Sequence, residues 1–441
     1  MDWHRMDAVN LARAIRSGEV TAEESVRSCL DRIGQVENEV QAWAFLDPAY
    51  ALAQARLADR AQQEGRDLGP LHGVPVGLKD IFDTADMPTE NGTVLHAGRR
   101  PAEDATVVSL LRQAGAILLG KTVTTELAVF HPGKTRNPHD PRRTPGGSSS
   151  GSAAAVAAWM VPLALGTQTN GSMIRPASYC GVVGYKPSYG TVSRHGVLMQ
   201  SPPLDQVGVY ARTVADAALL AQVLMSFDDR DPAVRPAARP DLNRWAGEEP
   251  PVAPLLAFVK TPVWDQAAED TRRAFAELCR HLGPHVQEVT LPPVFSEVVG
   301  WHRAIMESDL AKSFASEYAR GKDRLSDTLR QMIERGRLVL AMDYNRAVEQ
   351  VPMLNRALRD IFSSYDAILT PATMSVAPVG LTSTGSPIFC TIWTLCGTPT
   401  ITLPILQGTD GMPMGAQLVA ARGDDGRLLR TARWLESMPL P

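Results

Sequence analysis

Apolar residues recur at helical spacing near the start of the chain and at shorter, strand-like spacing through its middle. Thr21 followed by Glu24 forms a capping box, and Ala22, Val26, Cys29, Leu30 and Ile33 then repeat every three or four residues. That pattern predicts a helix with one buried face. Residues Ala51 to Glu64, rich in Ala, Leu, Gln and Arg, predict a second. From Leu71 to Ala221 the texture changes. Short apolar runs, Ala116 to Leu119 and Gly181 to Gly184 among them, alternate with Gly/Pro turns and helical patches. This is the texture of an α/β fold. Residues Asp228 to Pro254, rich in Pro, Asp and Arg, read as a loop or linker. A charged helical stretch follows from Asp265 to Ile361. Tyr365 to Pro371 and Thr398 to Pro404 read as buried strands, and Leu428, Leu429, Ala432 and Leu435 mark a closing helix.

The chain has 441 residues, 44% of them hydrophobic and 21% charged, enough length and apolar content for a large core. The formal net charge of −4 gives no basic surplus for nucleic acid or an anionic membrane. No apolar run reaches the roughly 18 residues of a membrane helix. The longest weakly polar stretch, Ala153 to Leu165, reads as a buried helix. The N-terminal residues lack the apolar stretch of a signal peptide. Cys29, Cys180, Cys279, Cys390 and Cys396 show no zinc spacing and read as free thiols in a reducing compartment, so a cytoplasmic location is expected. His72, His131 and His195 likewise have no metal spacing. We find no internal repeat. The expected organisation is a single domain over 1–441, with helices in 1–65, a catalytic core in 66–225, a variable substrate-side segment in 226–345 and the rest of the core in 346–441.

Two stretches of small residues carry the candidate chemistry: Thr144 to Ala158 (TPGGSSSGSAAAVAA) and Ala164 to Gly181 (ALGTQTNGSMIRPASYCG). The first resembles a flexible linker or an anion-binding nest. The packed helix predicted directly after it weakens the linker reading. Gly147 to Gly151 also matches the GxSxG nucleophile elbow with Ser149 as nucleophile. The elbow needs a strand in front, and Asn137 to Pro145, with three prolines, cannot be a central strand. In the second stretch, the amides of Thr169, Asn170, Gly171 and Ser172 can converge on one point and form an oxyanion hole. Ser172 would attack an acyl carbon. A serine needs a base, and neither neighbouring histidine, His139 or His195, is close in sequence. Lys79 follows Val74, Val76 and Leu78. A neutral lysine facing inward at a strand end could serve.

These motifs resemble the amidase signature family, whose members use a Ser-Ser-Lys triad. The resemblance covers nearly the whole chain. It is strongest over Gly73 to Ala217 and Tyr365 to Leu435, and weakest between Phe227 and Asn345. It rests on the 24-residue spacing of Ser148 and Ser172, on Gly184 to Gly190 (GYKPSYG) and on Gly411 to Gly415 (GMPMG). It implies a large mixed β-sheet flanked by helices. It further implies Lys79 as general base, Ser148 as relay serine held by a cis peptide, Ser172 as acyl-enzyme nucleophile, and the amides of Thr169, Asn170, Gly171 and Ser172 as oxyanion hole. No metal or organic cofactor is implied. Four positions depart from the usual pattern: Ser150 and Asn170 replace common glycines, Gln168 a common acid, and Ile174 a common arginine, which comes one place later as Arg175. Arg175 reads as a buried structural ion-pair partner rather than a substrate contact. Asp80 reads as ordering a loop. Phe130 and His131 are pocket candidates, as are Trp264, Trp301, Met306, Ile392 and Trp393.

The expected activity is hydrolysis of acyl C–N bonds in small amides, anilides, carbamates (urethanes) or esters by a monomer or homodimer. No nucleic-acid or membrane partner is expected. The second reading is the ammonia-producing subunit of a glutamine-dependent tRNA amidotransferase. The third is a catalytically silent binding protein on the same fold.

Overall fold

Eleven strands form one mixed sheet in a computed structural model that describes residues 2–439. In chain order they are β1 (Trp43–Leu46), β2 (Pro75–Lys79), β3 (Ile117–Thr122), β4 (Leu163–Gln168), β5 (Val183–Lys186), β6 (Gln206–Ala211), β7 (Leu256–Val259), β8 (Val286–Val289), β9 (Ala367–Pro371), β10 (Thr400–Gln407) and β11 (Pro413–Val419). Their order across the sheet is β1-β3-β2-β4-β6-β5-β10-β11-β9-β7-β8. The pairs β2–β3, β2–β4, β7–β8 and β7–β9 are parallel and the rest antiparallel.

Side chains alternate across a strand, so neighbouring residues serve opposite faces. Leu165, Phe258, Leu369 and Leu418 join one core with helices Ala8–Ser17, Val214–Leu224 and Asp425–Ser437. Their neighbours serve the other face. Ala164 packs with helices Ala22–Val40 and Ser150–Ala157. Ala257, Ile368 and Val419 pack with helices Val298–Ser313, Asp327–Gly336 and Ala341–Phe362. The architecture is therefore a sheet between two helical layers, the α/β fold the sequence implied.

The capping box at Thr21 and Glu24 is present at the start of helix Ala22–Val40. Both predicted C-terminal strands and the closing helix appear, as β9, β10 and Asp425–Ser437. Three expectations are corrected. Ala153 to Leu165 is not one helix: Trp159 adopts a left-handed φ of 64°, which ends the helix, and Leu163 onward joins β4. The charged stretch after Asp265 contains a strand, β8, which pairs with β7. The loop-like stretch 228–254 contains the short helix Leu242–Gly247.

Among the described residues, no helix is long and apolar enough to cross a membrane. None of their His, Cys, Asp and Glu side chains form a group able to hold a metal ion. All five cysteines are free thiols, four of them buried.

Candidate active site

Lys79 is the last residue of β2 and is fully buried. β2 runs parallel to β4 with Leu78 opposite Leu165, so both strands deliver their C-terminal residues to one end of the sheet. Leu78 faces one helical layer; Lys79 therefore faces the other, where helix Ser150–Ala157 lies. Its Nζ lies 2.7 Å from Ser148 Oγ and 2.9 Å from Thr167 Oγ1. Burial holds the ammonium pKa well below its usual 10.5, while the Asp205 carboxylate acts in the opposite sense. Burial thus favours the neutral amine more than it would be favoured in a solvated lysine.

The small residues of the first stretch serve close packing. A Cβ on Gly151 would sit 2.3 Å from the Ala42 carbonyl oxygen and 2.4 Å from the Val123 amide nitrogen, so only glycine lets the helix start this close to neighbouring backbone. The Gly147–Ser148 peptide is cis. Thr125 N donates to the Ser148 carbonyl at 3.2 Å. Ser149, the elbow candidate, is fully buried, and its hydroxyl donates to the Thr167 carbonyl at 3.2 Å. No strand directly precedes it, so the elbow geometry is absent.

Ser172 lies between β4 and helix Ile174–Cys180 and is 9% exposed. Its hydroxyl has no hydrogen-bond partner among the described residues. The three preceding carbonyls are each pinned from behind. His302 Nε2 lies 2.9 Å from Thr169 O, Thr394 Oγ1 donates to Asn170 O, and Arg175 N donates to Gly171 O at 2.9 Å. A peptide unit is planar, with its N–H opposed to its C=O. Pinning these carbonyls therefore aims the amides of Asn170, Gly171 and Ser172 away from the pins. Those amides have no protein acceptor among the described residues. The next two amides are withdrawn from such a role: Gln168 Oε1 accepts Met173 N at 2.9 Å and Ile174 N at 3.1 Å. Gln168 thus organises the loop from the position where the family commonly has an acid. Gly171 has no room for a side chain, since a Cβ would meet Pro387 Cβ at 2.8 Å.

A cavity of about 340 Å³ reaches this segment at Asn170. Phe130, Met306, Met332 and Ile388 give it apolar walls, and His302 borders it. Glu307 and Arg335, paired at 2.6 Å, sit at its edge. Of the pocket candidates, Phe130 and Met306 line this cavity. His131 is exposed, Ile392 and Trp393 are core, Trp301 packs on the helical layer, and Trp264 lies beside Phe258 elsewhere.

Arg175 is not the ion-pair partner expected. It is fully buried, and no carboxylate pairs with it among the described residues. Its Nη2 donates to Gly147 O at 2.6 Å and to Thr384 Oγ1 at 3.2 Å, while Nε and Nη1 have no partner. The carbonyl dipole and the Phe130 ring, 5.9 Å from the guanidinium carbon, replace a counter-charge. Asp80 does order a loop: it accepts the Glu90 amide at 3.2 Å and faces Lys121 Nζ at 3.6 Å.

Sequence reasoning missed Thr167, Asp205, His302 and Thr394. Thr167 sits two residues past Leu165 on a strand paired with β2, a signal that strand pairing alone reveals. The other three come from distant segments and carry no local motif.

A family model described as Amidase matches residues 24–429. A glutamyl-tRNA(Gln) amidotransferase subunit from Chloroflexus aurantiacus is 34% identical over 97% of this chain and 96% of its own. Among solved structures, a chain of a vestigial protein complex bearing on the origins of an s-triazine catabolic enzyme superposes with a TM-score of 0.91 at 27% identity, covering 99% of both chains. The native peptide amidase of Stenotrophomonas maltophilia does so with a TM-score of 0.83 at 29% identity, covering 97% of this chain and 96% of its own. With a family model over most of its length and amidases among its structural neighbours, the chain belongs to the amidase signature family.

Proposed function

We propose that this protein hydrolyses the acyl C–N bond of small amides through an acyl-enzyme on Ser172. One observation carries the reading: a fully buried lysine, Lys79, within 2.7 Å of Ser148 Oγ, in a chain whose Ser172 stands on a segment of unclaimed amides. Neutral Lys79 takes the Ser148 proton while Ser148 takes that of Ser172. The freed Ser172 oxygen attacks the acyl carbon. The amides of Thr169, Asn170, Gly171 and Ser172 hold the resulting oxyanion. The proton returns through Ser148 to the leaving nitrogen, and the C–N bond breaks. Water then attacks the Ser172 ester, giving its proton to the same relay and releasing the acid. Every step uses groups of this chain and water alone. The apolar walls of the 340 Å³ cavity suit a compact acyl or leaving group, as in a linear aliphatic or aryl amide, an anilide, a carbamate or an ester.

The amidotransferase relatives favour a second reading, in which the same relay releases ammonia from glutamine for a partner protein that acts on tRNA. Ile174 and the net charge of −4 support the independent hydrolase instead.

The test is a fluorophosphonate label followed by mass spectrometry, with turnover of an amide, anilide, carbamate and ester panel by the purified chain. An adduct on Ser172 that Lys79→Ala suppresses, with turnover, is expected. An adduct on another serine would sink the triad. Glutaminase activity alone, dependent on a partner, would establish the second reading.

A further inference from the structure

We propose that His302 couples the substrate cavity to the oxyanion segment: its Nε2–H holds the Thr169 carbonyl, and its Nδ1 offers a lone pair to an N–H or O–H donor on the substrate. The inference rests on the acyl-enzyme reading above and adds a substrate feature to it.

The tautomer follows from the partner. Thr169 O, 2.9 Å from Nε2, can only accept, so Nε2 carries the proton. Burial pushes the imidazole down to about 4, so the ring is neutral near pH 7 and Nδ1 holds a lone pair. Nδ1 has no protein partner among the described residues, although His302 is only 2% exposed and borders the cavity. His302 lines the cavity, so Nδ1 is free to accept from a water there, or from a substrate donor that displaces it.

The other end of the imidazole acts on the chemistry. Thr169 C=O and Asn170 N–H belong to one planar peptide unit. Holding the carbonyl fixes the direction of the first oxyanion amide. Asp205 holds the same residue through its hydroxyl at 2.7 Å, so Thr169 is fixed at two points. His302 is therefore a positioning residue for the oxyanion and a selector of substrates with a donor in the part lodged in the cavity, remote from the scissile carbonyl. A substrate that carries an amide N–H or a hydroxyl into the cavity has such a donor; its methylene counterpart does not.

Three measurements test this. In 15N-histidine spectra, with the His302 signal assigned by its loss in His302→Gln, the Nε2–H tautomer is expected; the Nδ1–H tautomer would overturn the proposal. In turnover, His302→Leu should lower kcat by about tenfold to a hundredfold, less than loss of a whole oxyanion donor. His302→Gln, which keeps a donor and an acceptor, should recover most of it. The kcat/KM preference for a substrate with an amide N–H in the cavity-lodged part over its methylene counterpart should collapse in His302→Leu and survive in His302→Gln. Equal loss in both variants, or an unchanged preference in His302→Leu, would reduce His302 to packing. Absence of a Ser172 adduct in the wild-type protein would instead refute the acyl-enzyme reading, and the tautomer would still be decided by the spectra.

Discussion

Thr169 Oγ1 donates to Asp205 Oδ1 across 2.7 Å, and both residues are buried. The same carboxylate accepts Gln200 N at 2.7 Å and Ser201 N at 3.1 Å through its other oxygen. Its charge also favours the protonated form of Lys79. One acid thus bears on both the proposed oxyanion segment and the proposed base. Burial raises its own pKa to about 6, so above that pH it is ionised. Asp205→Asn removes the charge and should let the Lys79 pKa fall further. The rise of kcat/KM with pH should therefore move to lower pH. A pH–rate profile above pH 6 measures this, and a limb that stays put or moves up would disprove the coupling.

As the proposed base, Lys79 would work only as the neutral amine. Activity should be low where it is protonated, climb as pH rises through its pKa, and level off above. Burial depresses that pKa, so the climb should be centred well below the ordinary 10.5. A profile of kcat/KM against pH gives the midpoint. A midpoint at the ordinary lysine value would mean that the amine is hydrated in solution.

Gly171 has no space for a methyl group. In Gly171→Ala the new Cβ would press on Pro387, 2.8 Å away, and on Cys390 Sγ, 3.2 Å away. The segment must shift, and its amides would miss the oxyanion. We expect a fall in kcat of about a hundredfold, the scale of losing one oxyanion donor. Circular dichroism should show the fold intact. Near-normal kcat would place the oxyanion site elsewhere.

Arg175 holds the Gly147 carbonyl, one residue before Ser148, yet has two unpartnered nitrogens. Arg175→Met loses that hydrogen bond but also relieves a buried charge that has no carboxylate partner. The two effects oppose each other, so stability should change by less than about 2 kcal/mol. kcat should fall about tenfold as the Ser148 segment loosens, since small misplacements are costly to rate. Urea melts and steady-state kinetics separate the two. A large loss of stability with normal kcat would make Arg175 a purely structural residue.

Local pattern already marked much of this site. The capping box at Thr21, the buried strands near Tyr365 and Thr398, the small residues around Ser148 and Ser172, and the strand leading to Lys79 are features of near neighbours in sequence. Such features act through spacing and backbone propensity, which a sequence displays directly. Two local readings failed, one for a conformational reason hidden from composition and one for want of a long-range partner. Trp159 in a left-handed conformation divides the Ala-rich stretch, and nothing in residue type announces it. The short strand β8 takes its strand pairing from β7 alone, some thirty residues away, so its own four residues carry little signal.

The sequence by itself set out the residue types for the proposed chemistry: a lysine after an apolar run and two serines on small-residue segments. Tertiary structure decided which of them meet. Lys79 reaches Thr167 because β2 and β4 pair, and Ser148 because the segment before helix Ser150–Ala157 packs at the same end of the sheet, though both lie far from Lys79 in the chain. Asp205 comes to Thr169 beside the sheet, and His302 reaches the same residue from a helix 133 positions away. These contacts depend on long-range packing, where one element supplies the partner that another leaves unpaired. Periodicity along a chain cannot carry that information, because it records which face a residue takes and not which residue lies opposite.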